Sequence, residues 1–440
     1  MLWRSLSLVR AWSAAGMMTL VGFGLAVAGD TPDPVPGREV QGETVRVLDG
    51  MKSGELTVEA TGRGQSRVHL AVKNNSGKRL NVILPPGLVA STAVGQGGLQ
   101  NMGLGAPGNN VGAFGQFRNG GGVGFRSVDV AGPTGALPVA AGQTVEIDLP
   151  AVCLNFGLTP PSAKDKLTLV DVEEYSRDAR VRSALRSLAL LGTSQGTAQA
   201  VMWNVANNVS FEMMLQKGEK VVNRHEVALA ARFVDALDAA STGAPIDAAY
   251  LTEARIFVSV VGRGALEKDA RRLAADLEGL RVMGLPVRVA STTDLPKTAA
   301  PALHLILEIT DSKVGKTSAK LEVRGMLAAA SNWTTLGRTT LEEAATLDVL
   351  PGADLARALD KTLAVNFVSV KPTKRTAGST TFKVENRLPF TLAGVTLAAG
   401  NSAGAPSVTV SGVGIGPARS GTVSLPAATA SVERVELNGL

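Results

Sequence analysis

Arg67-Val68-His69-Leu70-Ala71-Val72-Lys73 places an apolar residue at every second position, and Arg79-Leu80-Asn81-Val82-Ile83-Leu84 and Thr144-Val145-Glu146-Ile147-Asp148-Leu149 do much the same. Successive side chains of a strand point to opposite faces, so this period of two describes strands with one buried and one wet face. Between the first two runs, Asn74-Asn75-Ser76-Gly77 is a turn signal, which predicts a hairpin. Residues 43–156 therefore read as an antiparallel β-sandwich. Within them, 91–124 is crowded with glycine, which side-chain packing cannot hold, and predicts a long loop over the sandwich or a disordered segment.

Working outward, the period changes. Val181, Leu185, Leu188 and Leu191 mark one helical stripe, Ala198, Val201, Met202 and Val205 a second, and Val227, Ala231, Val234 and Leu237 a third. Asn223 with Glu226 three residues on is a capping-box start for the third helix. These predict a helical domain over 160–245. From 249 to 372 strands and helices alternate: strands at 255–261, 285–290, 303–309, 320–325 and 366–370, helices at 265–281 and 354–363, together a small α/β sandwich. Lys371-Pro372-Thr373-Lys374-Arg375-Thr376 has the composition of a linker, and short strands among Gly, Pro and Ser then predict a second β-sandwich over 376–440. The fold class is multi-domain α+β.

The amino-terminal residues carry a different signal. Arg4 and Arg10 are followed by an apolar run to Gly29, and Ala26-Val27-Ala28 supplies a small-residue exit, the layout of a secretory leader at 1–28. Residues 29–42 hold three prolines and read as an extended linker. No later run is apolar for long enough to span a bilayer, so no transmembrane span is expected in the mature chain. The formal charge of +6 is spread thinly, and aromatics are only 4%, which argues against nucleic acid as a partner. Cys153 is the one cysteine, so no internal disulfide can form.

Candidate chemistry is sparse. His69 and His304 fall on the polar faces of their strands and His225 in the first turn of a helix, so surface placement is expected for all three. There is no His-x-x-x-His or Cys-x-x-Cys spacing, so neither a metal site nor a cofactor is expected. Val314-Gly315-Lys316-Thr317 lacks the leading glycine of a phosphate loop, since Thr310 stands there. Glu173, Glu174, Asp178 and the Glu342-Glu343 pair read as solvated acidic positions.

One spacing carries sharper chemistry. Gln199 precedes Trp203 by four residues, with Cys153 upstream at the end of a strand. This resembles the Gln-x-x-x-Trp helix of thioester domains in bacterial surface adhesins, and the resemblance implies a bond between the Cys153 thiol and the Gln199 carboxamide that would capture a surface amine. The sequence departs from that pattern in having Ala198 before the glutamine and Val152 before the cysteine. The runs Val384–Phe390, Glu433–Leu440 and Leu84–Ser91 are similar to segments of uncharacterised exported bacterial multi-domain proteins, which implies an export context and no activity. The expectation is an exported, non-enzymatic binding or scaffolding protein of the cell envelope, its partner a protein or envelope component. The alternatives are an enzyme whose site assembles from distant residues and a covalent adhesin.

Overall fold

The computed structural model describes residues 42–92, 98–105, 136–191, 193–216, 222–240, 246, 254–294, 301–311, 317–326, 332–341, 351–400 and 407–439. The expected leader at 1–28, nearly all of the linker and most of the glycine-rich stretch lie outside them. The described chain is mixed α+β and rich in strand.

The first ten strands and helices are β1 (Glu43–Arg46), α1 (Val47–Ser53), β2 (Leu56–Gly62), β3 (Arg67–Asn74), β4 (Leu80–Ile83), β5 (Leu88–Thr92), β6 (Met102–Leu104), β7 (Ala136–Val139), β8 (Thr144–Cys153) and β9 (Lys166–Asp171). Where alternation suggests a sandwich, β2-β3-β8-β6-β5-β9 close into a six-stranded barrel, and β1-β4-β7 form a separate three-stranded sheet. The difference comes from β9, which lies beyond position 156 and pairs with both β5 and β2. Closure gives each of these strands a neighbour on both sides, whereas a sandwich would leave edge strands with one. Val68, Leu70 and Val72 point inward from β3 and are fully buried, as their spacing predicts.

The hairpin expected between β3 and β4 does not form. β3 lies between β2 and β8, while β4 pairs with β1 and β7. The turn itself is real, but it is a corner between sheets. The Asn74 side chain is fully buried and its Nδ2 donates to Lys78 O (2.7 Å) and Val139 O (3.1 Å). Its Oδ1 accepts from Ser76 N (2.9 Å) and Ser76 Oγ (2.7 Å). A period of two specifies which face is buried, not which strand is the neighbour, so the partner was beyond local pattern.

Next come α2 (Val172–Tyr175), α3 (Ala179–Leu191), α4 (Gln195–Asn207), α5 (Phe211–Gln216) and α6 (Arg224–Ala239). The three stripes read from the sequence fall on α3, α4 and α6, and most of their residues join one apolar cluster that also takes in Val152 and Leu154 from the end of β8. The capping box is present: Asn223 Oδ1 accepts from Glu226 N (3.0 Å) and Glu226 Oε2 accepts from Asn223 N (2.8 Å).

Then follow β10 (Arg255–Gly262), α7 (Glu267–Leu277), β11 (Arg281–Val282), β12 (Leu285–Val289), β13 (Ala302–Asp311), β14 (Thr317–Met326), β15 (Thr334–Leu341) and α8 (Gly352–Phe367). They build a mixed sheet in the order β11-β12-β10-β13-β14-β15, with β10 parallel to both β12 and β13. Last come β16 (Val368–Arg375), β17 (Thr380–Asn386), β18 (Thr391–Gly400), β19 (Val408–Ile415), β20 (Ser420–Leu425) and β21 (Thr429–Asn438), in two antiparallel sheets of three. The linker expected at 371–376 is instead largely strand: Lys371 to Arg375 continue β16 and pair with β17 across a bulge. One apolar cluster runs from Ala254 to Leu437 without a break between the mixed sheet and the last six strands.

Asn74→Ala removes the partners of one buried and one half-buried carbonyl and of the turn donors at Ser76, and an orphaned buried group costs about 1–3 kcal/mol. Urea unfolding of that variant is expected to show a loss of about 2–4 kcal/mol with an unchanged denaturant slope.

Candidate functional site

Cys153 and Gln199, 46 residues apart, do meet. Gln199 Oε1 accepts from Cys153 N (2.9 Å) and Gln199 Nε2 donates to Cys153 O (3.0 Å). The carboxamide thus takes the place of a neighbouring strand beside the last residue of β8. One turn earlier, Gln195 Nε2 donates to Ala151 O. One turn later, the Trp203 ring packs edge-on against Phe156, with centroids 5.0 Å apart, and after it Asn207 Oδ1 accepts from Phe156 N (3.0 Å). The match is geometric: four helical residues rise about 6 Å and two strand residues about 6.6 Å, so positions 195 and 199 keep step with 151 and 153.

Alternation decides where the thiol goes. Val152 and Leu154 face the helices, so Cys153 faces the barrel interior, where it is buried and Sγ donates to Gln65 O (3.3 Å). Burial pushes its pKa up to about 12, which keeps it a thiol at neutral pH. The sequence spacing that resembles a thioester helix is, in this structure, a docking ladder in which the glutamine holds main-chain atoms and the sulfur points the other way.

The histidines divide. His69 lies on the outer face of the barrel, half-buried, with Nδ1 2.9 Å from Asp148 Oδ1 on the adjacent strand and Arg63 Nε 3.3 Å from the same oxygen. His225 is half-buried in the first turn of α6. His304 departs from the surface placement expected of it: it is 0% exposed. It stands on the face of β13 opposite the main core, as alternation predicts, but Trp333 packs over it there with ring centroids 5.6 Å apart. Its Nε2 lies 2.7 Å from Ser259 Oγ on β10, and that hydroxyl donates to Ala290 O at 2.6 Å. A hydroxyl has one proton, so His304 Nε2 carries the hydrogen and donates to Ser259. Nδ1 is then a buried acceptor without a partner among the described residues. Burial, and next the Arg324 guanidinium, lower the His304 pKa to about 4, against the opposing pull of Glu322.

Sequence reasoning saw Glu226 as a cap and missed its second partner. Arg419, in the turn after β19, donates Nε to Oε1 (2.8 Å) and Nη2 to Oε2 (2.6 Å) of a carboxylate that is 1% exposed. Asn223 Nδ2 donates to Pro417 O in the same turn (2.8 Å). A Cβ at Gly196 would lie 2.1 Å from Glu226 Oε1, so that glycine is what lets α4 approach the pair. The acidic positions read as solvated are exposed or half-buried: Glu173 pairs with Arg182 and Arg186, Glu174 with Lys52, and Asp178 caps Arg180 N. Glu342 and Glu343 lie outside the described residues. Among the described residues no three His, Cys, Asp or Glu side chains gather as metal ligands.

A third feature was not foreseen. A shallow cleft of about 200 Å3 runs beside β15, floored by Leu336 and Phe367 and rimmed by Arg338 and Arg387. The ladder, the buried ion pair and this cleft are among the places where polar side chains from distant positions converge. The chain matches no family model and no curated protein.

Gln199→Ala orphans Cys153 N and O and is expected to lower stability by about 2–4 kcal/mol in chemical denaturation. The intact mass of the native chain should equal that of the unmodified polypeptide, with Cys153 alkylated only after unfolding; a mass short by one ammonia would reveal the thioester.

A histidine held neutral by burial favours the folded state above its unfolded pKa, and that contribution is lost as acid titrates the unfolded imidazole. For His304 the window runs from 6.5 down to about 4. Denaturation at stepped pH is expected to show wild type losing stability through that window more steeply than His304→Asn, which keeps a donor for Ser259 but does not titrate.

Proposed function

We propose that the chain is an exported, non-enzymatic binding or scaffolding protein of the cell envelope, built as four modules: barrel, helical layer, α/β sheet and a carboxy-terminal β-sandwich. One observation carries the reading. The side chains best suited to chemistry are engaged in joining one element to another: the Cys153 thiol faces inward, Gln199 holds β8, Glu226 holds Arg419, and His304 holds Ser259 beneath Trp333. No described helix is long and apolar enough to cross a membrane.

A second reading has an observation of its own. The Ser259–His304 contact is a hydroxyl beside an imidazole, the pairing from which nucleophilic catalysis is built. Against it, the hydroxyl proton is committed to Ala290 O and both residues are buried.

Fractionation of the producing cell with amino-terminal sequencing tests the location: the expected product begins at Gly29 in an envelope or secreted fraction, and full-length cytosolic chain overturns it. Purified protein is expected to be inert on ester, glycoside, phosphate and peptide substrates. Turnover abolished by Ser259→Ala would replace the binding reading with the enzymatic one.

A further inference from the structure

We infer that the outer edge of β15 is a docking groove for an extended, acidic segment of a partner protein, which adds to the mixed sheet as a further strand. The inference deepens the binding reading, on which it rests for its class. β15 stands last in the sheet order and pairs with β14 alone among the described residues. Its residues from Gly337 to Leu341 follow a regular register after a bulge near Leu336, and contain no proline that would block pairing.

The shape of the cleft locates it at that edge. Leu336, Gly337, Arg338 and Thr339 are consecutive and all line it. From Gly337 on, consecutive residues of the strand face opposite sides of the sheet, so a cavity touching Gly337, Arg338 and Thr339 lies along the strand rather than over one face. Gly337 keeps it open: a Cβ there would press on the Phe367 ring at 3.2 Å.

The size of the cleft selects the kind of occupant. A volume of about 200 Å3 is below the usual range of roughly 300–1,000 Å3 for small-molecule sites, and suits one side chain of an extended peptide.

The charge selects its chemistry. Arg338 and Arg387 flank the cleft with side chains 75% and 60% exposed. Arg387 reaches Glu385 only at 4.0 Å, and Arg338 meets Glu322 from the solvent side at 2.9 Å. Ion pairs this exposed are weak, so either guanidinium can turn to an incoming carboxylate. Main-chain pairing would supply affinity and the two arginines the preference for acidic residues, the division of labour seen wherever a peptide extends a sheet.

The test uses the full chain and a fluorescent ten-residue peptide alternating Glu and Val, read by polarisation at low salt. Saturable binding is expected, with at least a tenfold loss when Lys replaces Glu. The same loss is expected when alternate peptide nitrogens are methylated, which removes strand pairing but keeps the charge. Arg387→Gln and the double variant with Arg338→Gln should weaken binding progressively while the melting temperature holds. Absence of saturable binding, equal binding of the lysine or methylated peptide, or full affinity in the double variant would each overturn the proposal. The location and turnover assays use no peptide, so a failure here is separable from a failure of the binding reading.

Discussion

A carboxylate removed from water has to be answered by charge and hydrogen bonds at close range, and Glu226 is answered from 193 residues away. Arg419 meets it in a two-pronged arrangement while Asn223 N completes its oxygens. Breaking such a pair leaves a buried charge, a cost of about 3–5 kcal/mol, whereas forming it adds little net stability. What the pair provides is position. It fixes the start of α6 against the turn between β19 and β20; a side chain at Gly196 would strike Glu226, and one at Gly416 would strike Ser194 and press on Glu226. The helical layer is tied on its other side by the α4 ladder to the end of β8, and so stands between barrel and carboxy-terminal strands.

The second tie obeys an economy of geometry. A helix and a strand can be laced along their lengths only where their rises keep step, and spacing four on α4 against spacing two on β8 achieves this with glutamines, whose carboxamides both donate and accept. The Cys153 sulfur is incidental to the lacing: alternation turned it into the barrel, where it packs as a small apolar group.

What was legible in the sequence was local. Val68, Leu70 and Val72 announced a half-buried strand, the three stripes announced helices, and Asn223 with Glu226 announced a helix start, because each signal is confined to a few adjacent residues. Partner choice was not legible. Nothing in Lys166–Asp171 says that it closes a barrel, and nothing near Arg419 says that it meets Glu226. His304 shows the limit of alternation: the period assigned its face correctly, but burial of that face depends on Trp333, some thirty residues further on. The spacing of Gln199 and Trp203 was legible as a pattern, and in the structure the i, i+4 stripe forms a docking ladder beside β8.

The continuity of the apolar cluster between Ala254 and Leu437 sets how this part of the molecule can move. A hinge needs a place where few packed side chains cross, and the stretch whose composition suggested one is a paired strand instead. Leu363 and Phe367 from α8 share their surroundings with Phe382 and Phe390 from the strands beyond. Swinging one half against the other would open water-filled gaps through the middle of that packing. The described residues between Ala254 and Leu437 therefore resist bending at the strand whose composition resembles a linker, because core side chains from both sides of it interlock there.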